Sequence, residues 1–145
     1  MGIIDNMICL ILLYVSFTMT YTIWVMSGYF RSISRDLEAA AMVDGCSRFG
    51  AYVRVILPIA RPGLTAVGIL AFLMAWDEFM YALIFMNSQS NKTITVALSE
   101  FTSKFGIDYG MMMTAGLLAT VVPMVLALIF QRYIVGGLTA GAVKG

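Results

Sequence analysis

Residues 38–62 read Glu-Ala-Ala-Ala-Met-Val-Asp-Gly-Cys-Ser-Arg-Phe-Gly-Ala-Tyr-Val-Arg-Val-Ile-Leu-Pro-Ile-Ala-Arg-Pro. Ala39, Ala40 and Ala41 are strong helix formers and permit close backbone approach. Ser34, just upstream, is placed to cap this first helix, with Asp36 and Glu38 in its opening turns, where negative charge suits the helix dipole. Gly45 supplies a turn that a side chain would obstruct. Ser47 can cap a second helix, whose Phe49, Tyr52, Val53 and Ile56 follow 3–4 spacing. Pro58 and Pro62 are expected to break or restart that helix, and Pro62 suits the first turn of whatever follows. The stretch is a polar two-helix elbow, and its flanks decide the fold.

Those flanks are apolar. Met7–Met26 carries no charge, Gly63–Met86 carries only Asp77 and Glu78, and Met111–Phe130 carries none. A helix rises about 1.5 Å per residue, so ~20 residues cross the ~30 Å hydrocarbon core. The whole chain is 61% apolar and 12% charged over 145 residues. Its mean hydropathy is +0.90. That is too apolar for an ordinary soluble domain of this size. Three spans are expected, over about 7–27, 62–86 and 111–131. The elbow then falls in a loop over 28–61, a second loop covers 87–110, and a tail covers 132–145. A cleaved signal peptide fits the first run poorly, because Asp5 precedes it and no early Lys or Arg does.

Orientation follows from the basic residues near the spans. Arg31, Arg35, Arg48, Arg54 and Arg61 lie in 28–61, and Arg132 and Lys144 follow the third run. The 87–110 segment holds only Lys92 and Lys104. Seven against two predicts that the elbow and C-terminus are cytoplasmic, with the N-terminus and the 87–110 loop outside. Tyr21, Trp24 and Tyr29 fall near the inner boundary, as interfacial aromatics do.

Polar residues inside the spans are the candidate functional positions. Ser16 and Thr20 form a thread at i, i+4, as do Thr18 and Thr22, suited either to helix packing or to lining a solute path. Trp76-Asp77-Glu78-Phe79 offers two readings. If one helix runs to Met86, the acids lie on the order of 12 Å inside and need a cavity or a partner. If the helix ends near Phe79, they sit at the interface with Trp76 as anchor. The segment Thr93–Phe105 can pack as a short helix through Val96, Leu98, Phe101 and Phe105. In the third run, Pro123 should kink the helix, with neighbours satisfying the freed carbonyl. The glycine-rich end from Gly136 reads as flexible.

Several chemistries find no support. The chain has no His, and Cys9 and Cys46 form no CxxC, so metal and redox signatures are missing. No Gly-x-x-x-x-Gly-Lys-Ser/Thr occurs, so the chain is not itself a nucleotide hydrolase. A net charge of +1 argues against a nucleic-acid partner.

Gly28-Tyr29-Phe30, the elbow with Asp44-Gly45 and Leu57-Pro58, the Trp76–Phe79 cluster and the closing Gly137-Leu138-Thr139-Ala140-Gly141-Ala142-Val143-Lys144-Gly145 stand in the order seen in carbohydrate ABC-transporter permeases. The chain resembles the C-terminal half of the maltose-type subunit. The resemblance implies an all-α integral membrane fold of the type I importer kind, with three transmembrane helices and a cytoplasmic helical coupling (EAA) loop. It implies a permease of the bacterial or archaeal cytoplasmic membrane that imports a sugar or oligosaccharide without catalytic residues, metal or cofactor. The implied partners are an ABC ATPase dimer, a second permease subunit and an extracytoplasmic solute-binding protein. Glu38, Ala40, Ala41, Asp44, Gly45, Leu57 and Pro58 would couple to the ATPase; Trp76, Asp77, Glu78, Ser16 and Thr20 would line the path or pack helices. Against the family pattern, the usual glutamate six residues before the glycine falls at Ala39, and the acid here is Glu38, about 100° away round a helix. Family permeases commonly have six spans. The alternatives are a permease for another solute, such as a polyol or glycerol phosphate, and a non-transporting structural membrane subunit.

Overall fold

The computed structural model describes residues 4–103 and 106–142. Lys104, Phe105 and the Val143-Lys144-Gly145 end, which carry part of the charge count, the loop packing and the tail motif, lie outside the described residues. Helix α1 runs Met7–Ser32, started by Asn6, whose Oδ1 accepts the Ile8 N–H at 2.9 Å. Helix α2 is Arg35–Val43 and α3 is the continuous stretch Arg48–Trp76. Short α4 (Met80–Phe85) and α5 (Ile94–Ser99) follow. A two-residue antiparallel ladder then joins β1 (Thr102–Ser103) and β2 (Gly106–Ile107). Helix α6 occupies Tyr109–Ala142, with the Asp108 carboxylate accepting the Met111 N–H at 3.0 Å. Met7–Ser32, Arg48–Trp76 and Tyr109–Tyr133 are each long and apolar enough to cross a membrane.

Four features differ from the sequence expectation. Pro58 and Pro62 do not break α3. Tyr52–Ile56 forms a π-turn, in which the Leu57 N–H reaches back to the Tyr52 carbonyl. Such a widened turn relieves the clash between the Pro58 ring and the Arg54 carbonyl four residues before it, and the helix continues regularly through Pro62. The helix expected over 62–86 is divided, ending at Trp76 and resuming at Met80. The helix expected over 93–105 stops at Ser99 and gives way to the ladder, where Gly106 holds a φ of +136° that favours glycine. Helix α6 continues through Gly136-Gly137 to Ala142. Each glycine costs about 1 kcal/mol against Ala, but extending an existing helix carries no new nucleation penalty.

The chain divides into two compact units. One comprises Met1–Met19 with Ala71–Ile129, and its core is Leu10, Ala82, Met86 and Val96, flanked by Tyr14 and Phe79. The other comprises Thr20–Leu70 with Phe130–Gly145. Its buried residues are mostly small: Ala41, Ala51, Ala60 and Ala66, with Met26, Val67 and Ile69. Small side chains bring helices close. A Cβ on Gly63 would stand 2.7 Å from the Tyr29 ring, well inside contact distance.

Candidate functional site: a capped elbow and a broken helix

The elbow is built by local signals. Ser34, at φ −60° and ψ 133°, accepts the Asp36 N–H on its Oγ at 3.2 Å and opens α2. At the other end, the Gly45 N–H reaches the Met42 carbonyl at 3.1 Å and the Cys46 N–H reaches Ala41 at 3.0 Å. This pair of bonds is a Schellman closure, with Gly45 left-handed at φ +88°. Ser47 Oγ accepts the Gly50 N–H at 3.1 Å and opens α3. Glu38 Oε1 meets Arg48 Nε at 3.2 Å, bracing the two helices across the turn. The acid displaced from the family position thus has a partner inside the elbow.

The predicted coupling residues separate by environment. Ala41 is buried inside the elbow, whereas Ala40, Asp44 and Gly45 are exposed. Nothing lies within 4 Å of a Cβ built on Gly45. The glycine is required there by backbone conformation, and the space around it is open. Beside it, Val43 is 87% and Phe49 77% exposed. Leu57 and Pro58 are half-buried where the π-turn meets the regular helix.

In the other unit, the Trp76–Phe79 cluster is a helix break in which nearly every polar group has an assigned partner. Glu78 Oε1 accepts the Tyr81 N–H at 2.8 Å and Oε2 the Ala82 N–H at 3.1 Å. Its carboxylate therefore caps α4, supplying acceptors for donors that every helix start leaves orphaned. The Glu78 carbonyl accepts from Thr95 Oγ1 at 2.8 Å. Trp76 Nε1 donates to the Ala119 carbonyl at 3.2 Å. Ala119 stands four residues before Pro123, so this is the carbonyl that loses its helical partner to the proline. Asp77 is exposed, and its carboxylate has no hydrogen bond or ion pair among the described residues. Ser16 Oγ donates to the Leu12 carbonyl of its own helix at 2.8 Å, and Thr20 is exposed on α1.

Asp5 was not singled out by the sequence. It sits at φ +60°, a conformation Asp tolerates better than most residues. Its N–H donates to the Phe85 carbonyl at 2.8 Å, and its Oδ1 accepts the Asn87 and Ser88 N–H groups, each at 2.7 Å. The Ser88 amide chiefly lowers the Asp5 pKa, with partial burial opposing and the Asn87 amide adding. Asp5 thus closes the end of α4, as Glu78 closes its start. Arg48, Thr95 and Tyr29 were also missed as partners, because each pairing joins segments that no local pattern links.

The model for "Binding-protein-dependent transport system inner membrane component" matches residues 1–139. The chain is 40% identical over 133 residues to the trehalose/maltose transport system permease protein MalG of Thermococcus litoralis, covering 91% of this chain and 48% of that protein. It is 40% identical over 146 residues to the trehalose transport system permease protein SugB of Mycobacterium tuberculosis, covering 99% and 53% respectively. Against the diacetylchitobiose uptake system permease protein DasC of Streptomyces coelicolor it is 36% identical over 144 residues, covering 99% and 52%. The chain spans about half the length of the curated relatives it matches. Those relatives are named as permeases rather than as enzymes. The chain belongs to the binding-protein-dependent transport system inner membrane component family.

Proposed function

We propose that the chain acts as part of a permease subunit that imports a sugar or oligosaccharide, driven by a separate ATPase dimer that engages the 28–61 elbow. A second permease subunit and an extracytoplasmic solute-binding protein complete the assembly. The observation that carries this reading is the elbow's exposed turn. A doubly capped helix pair presents Val43 and Phe49, both exposed, beside the open turn at Asp44-Gly45. Apolar side chains this exposed beside a polar turn suit a protein partner. The elbow works by rigid-body coupling, which requires different contacts in two states of the ATPase. The names of the relatives, which cover trehalose, maltose and diacetylchitobiose, support sugars as the solute class.

In this reading the elbow and the C-terminus are cytoplasmic, and the 87–110 loop is external, as the basic asymmetry favours. Ser90→Cys and Asp44→Cys, each on a Cys9→Ser, Cys46→Ser background of the complete permease, test the arrangement. Impermeant thiol reagent should label the first in intact cells and the second only after permeabilisation. The opposite pattern would refute the topology and, with it, the assignment of the elbow to the ATPase.

A further inference from the structure

A cavity of about 620 Å³ opens between the end of α1, the start of α2 and the first turns of α3. Arg31, Arg35 and Arg48 line it, opposed by Glu38 alone among acids. Glu38 engages the Nε of Arg48. Arg31 and Arg35 make no ion pair among the described residues. One wall is the Phe30–Tyr52 ring pair, with centroids 6.3 Å apart. Arg31 lies in the last turn of α1, so the cavity stands where an apolar span leaves the hydrocarbon. Guanidinium groups match phosphate oxygens in a bidentate fork, and aromatic rings beside them suit a ligand with a charged head and an apolar body. Basic pockets between helices at the membrane boundary have this character.

We propose that this cavity binds the phosphate headgroup of an anionic phospholipid from the surrounding bilayer. Arg35 and Val43 are the first and last residues of α2, about 12 Å apart, so Arg31 and Arg35 stand away from Val43, whereas Arg48, beside the exposed Phe49, is already held by Glu38. The inference rests on the orientation given above only for which leaflet supplies the lipid.

The test uses the complete permease with its partner subunits, in nanodiscs of phosphatidylcholine doped with phosphatidylglycerol. Native mass spectrometry reads the retained phosphatidylglycerol and, separately, the retained ATPase subunits, so failure of lipid binding is distinct from failure of coupling. Neutralising one arginine at such a surface should weaken anionic lipid binding about fivefold, and Arg31→Gln with Arg35→Gln about 25-fold. Arg54→Gln removes the same charge from an exposed residue outside the cavity and should reduce retention markedly less than loss of either cavity arginine. Equal loss with Arg54→Gln would reduce the effect to general surface charge and overturn the site. Full retention in the double variant would also overturn it. So would displacement of the lipid by soluble glycerol phosphate, which would make this a site for free anions. Loss of the ATPase with the lipid retained would reassign the arginines to a protein contact.

Discussion

The two units of the chain handle polar groups in opposite ways. In the unit built from Met1–Met19 and Ala71–Ile129, helix ends and a freed carbonyl are met by side chains of the same unit, while the buried Tyr14 and Ser88 hydroxyls have no hydrogen-bond partner among the described residues. Trp76 pairs with the carbonyl that Pro123 frees, and Glu78 and Asp5 close the two ends of α4. In the unit built from Thr20–Leu70 and Phe130–Gly145, small residues pack helices closely while the elbow leaves its side chains outward. Asp44, Val43, Phe49, Arg31 and Arg35 have no ion pair or ring partner among the described residues. The difference teaches where each region's demands are met. The first meets its helix ends and its freed carbonyl from within the chain, and the second leaves charged and apolar side chains of the elbow open, which is what the proposed contacts with other molecules require.

The strongest way to break the comparison is to disturb the close packing in the elbow unit. Gly63→Val would drive side-chain atoms into the Tyr29 ring, which already stands 2.7 Å from a Cβ at that position. Overpacking of this kind should cost about 3 kcal/mol. Tyr29→Ala should recover much of the loss, and a thermal melt of the detergent-solubilised complex reads both. An unchanged melting temperature for Gly63→Val would show that helix approach at this point is loose.

Next in size is the Trp76–Ala119 bond. Trp76→Phe keeps most of the ring but leaves the Ala119 carbonyl unpaired, a loss of about 1–3 kcal/mol. Pro123→Ala restores an amide at the helical position four residues on. The double variant should therefore be more stable than the two single effects summed. Simple additivity would mean that the carbonyl finds another partner and that this unit is less self-contained than argued.

Smaller effects are expected at the Glu38–Arg48 brace. The pair is solvent-exposed on the arginine side, so Glu38→Gln should cost well under about 1 kcal/mol. Ala39→Glu, which places an acid at the usual family position on an exposed site, should be tolerated in ATPase stimulation. Severe loss with Ala39→Glu would show that this elbow docks in a register of its own.

The smallest effect should come from pH at Asp5. Its folded pKa is lowered, so its contribution is present above the ordinary carboxylate value of 3.8 and is lost as pH falls through the folded value. Hydrogen exchange at the Asn87 and Ser88 amides should rise on strong acidification. Asp5→Asn should shift that dependence out of the profile. The same pH dependence in Asp5→Asn would assign it to another group.

What was legible in the sequence was what short-range chemistry encodes. Ser34, Ser47 and Gly45 announce two caps and a turn within four residues each; the serines cap as read, and Gly45 makes the turn through its left-handed backbone, with open space where a side chain would stand. Freed carbonyls were legible in kind from Pro123, but the donor lies 43 residues from its acceptor. Asp5 reaches across 82 and 83 residues to close α4, and no periodicity carries that information. The π-turn was hidden for another reason. Prolines ordinarily end helices, and at Pro58 a register shift in the preceding turn accompanies the continuation of α3. At the broken helix, the pair Asp77-Glu78 looked like one charged feature. Its members divide into an internal cap and an exposed acid because only Glu78 faces the start of α4.

The central claim, that the elbow's exposed turn engages the ATPase, is tested most directly by solute-stimulated ATP hydrolysis in the reconstituted complete complex. Val43→Ser with Phe49→Ser removes two side chains that are almost wholly exposed in the chain itself. Surface changes of that kind usually alter stability by no more than about 0.5 kcal/mol. The account predicts normal insertion and melting, with stimulation of ATP hydrolysis reduced by an order of magnitude or more and the ATPase subunit bound less tightly. Full stimulation and full ATPase retention in that double variant would contradict it.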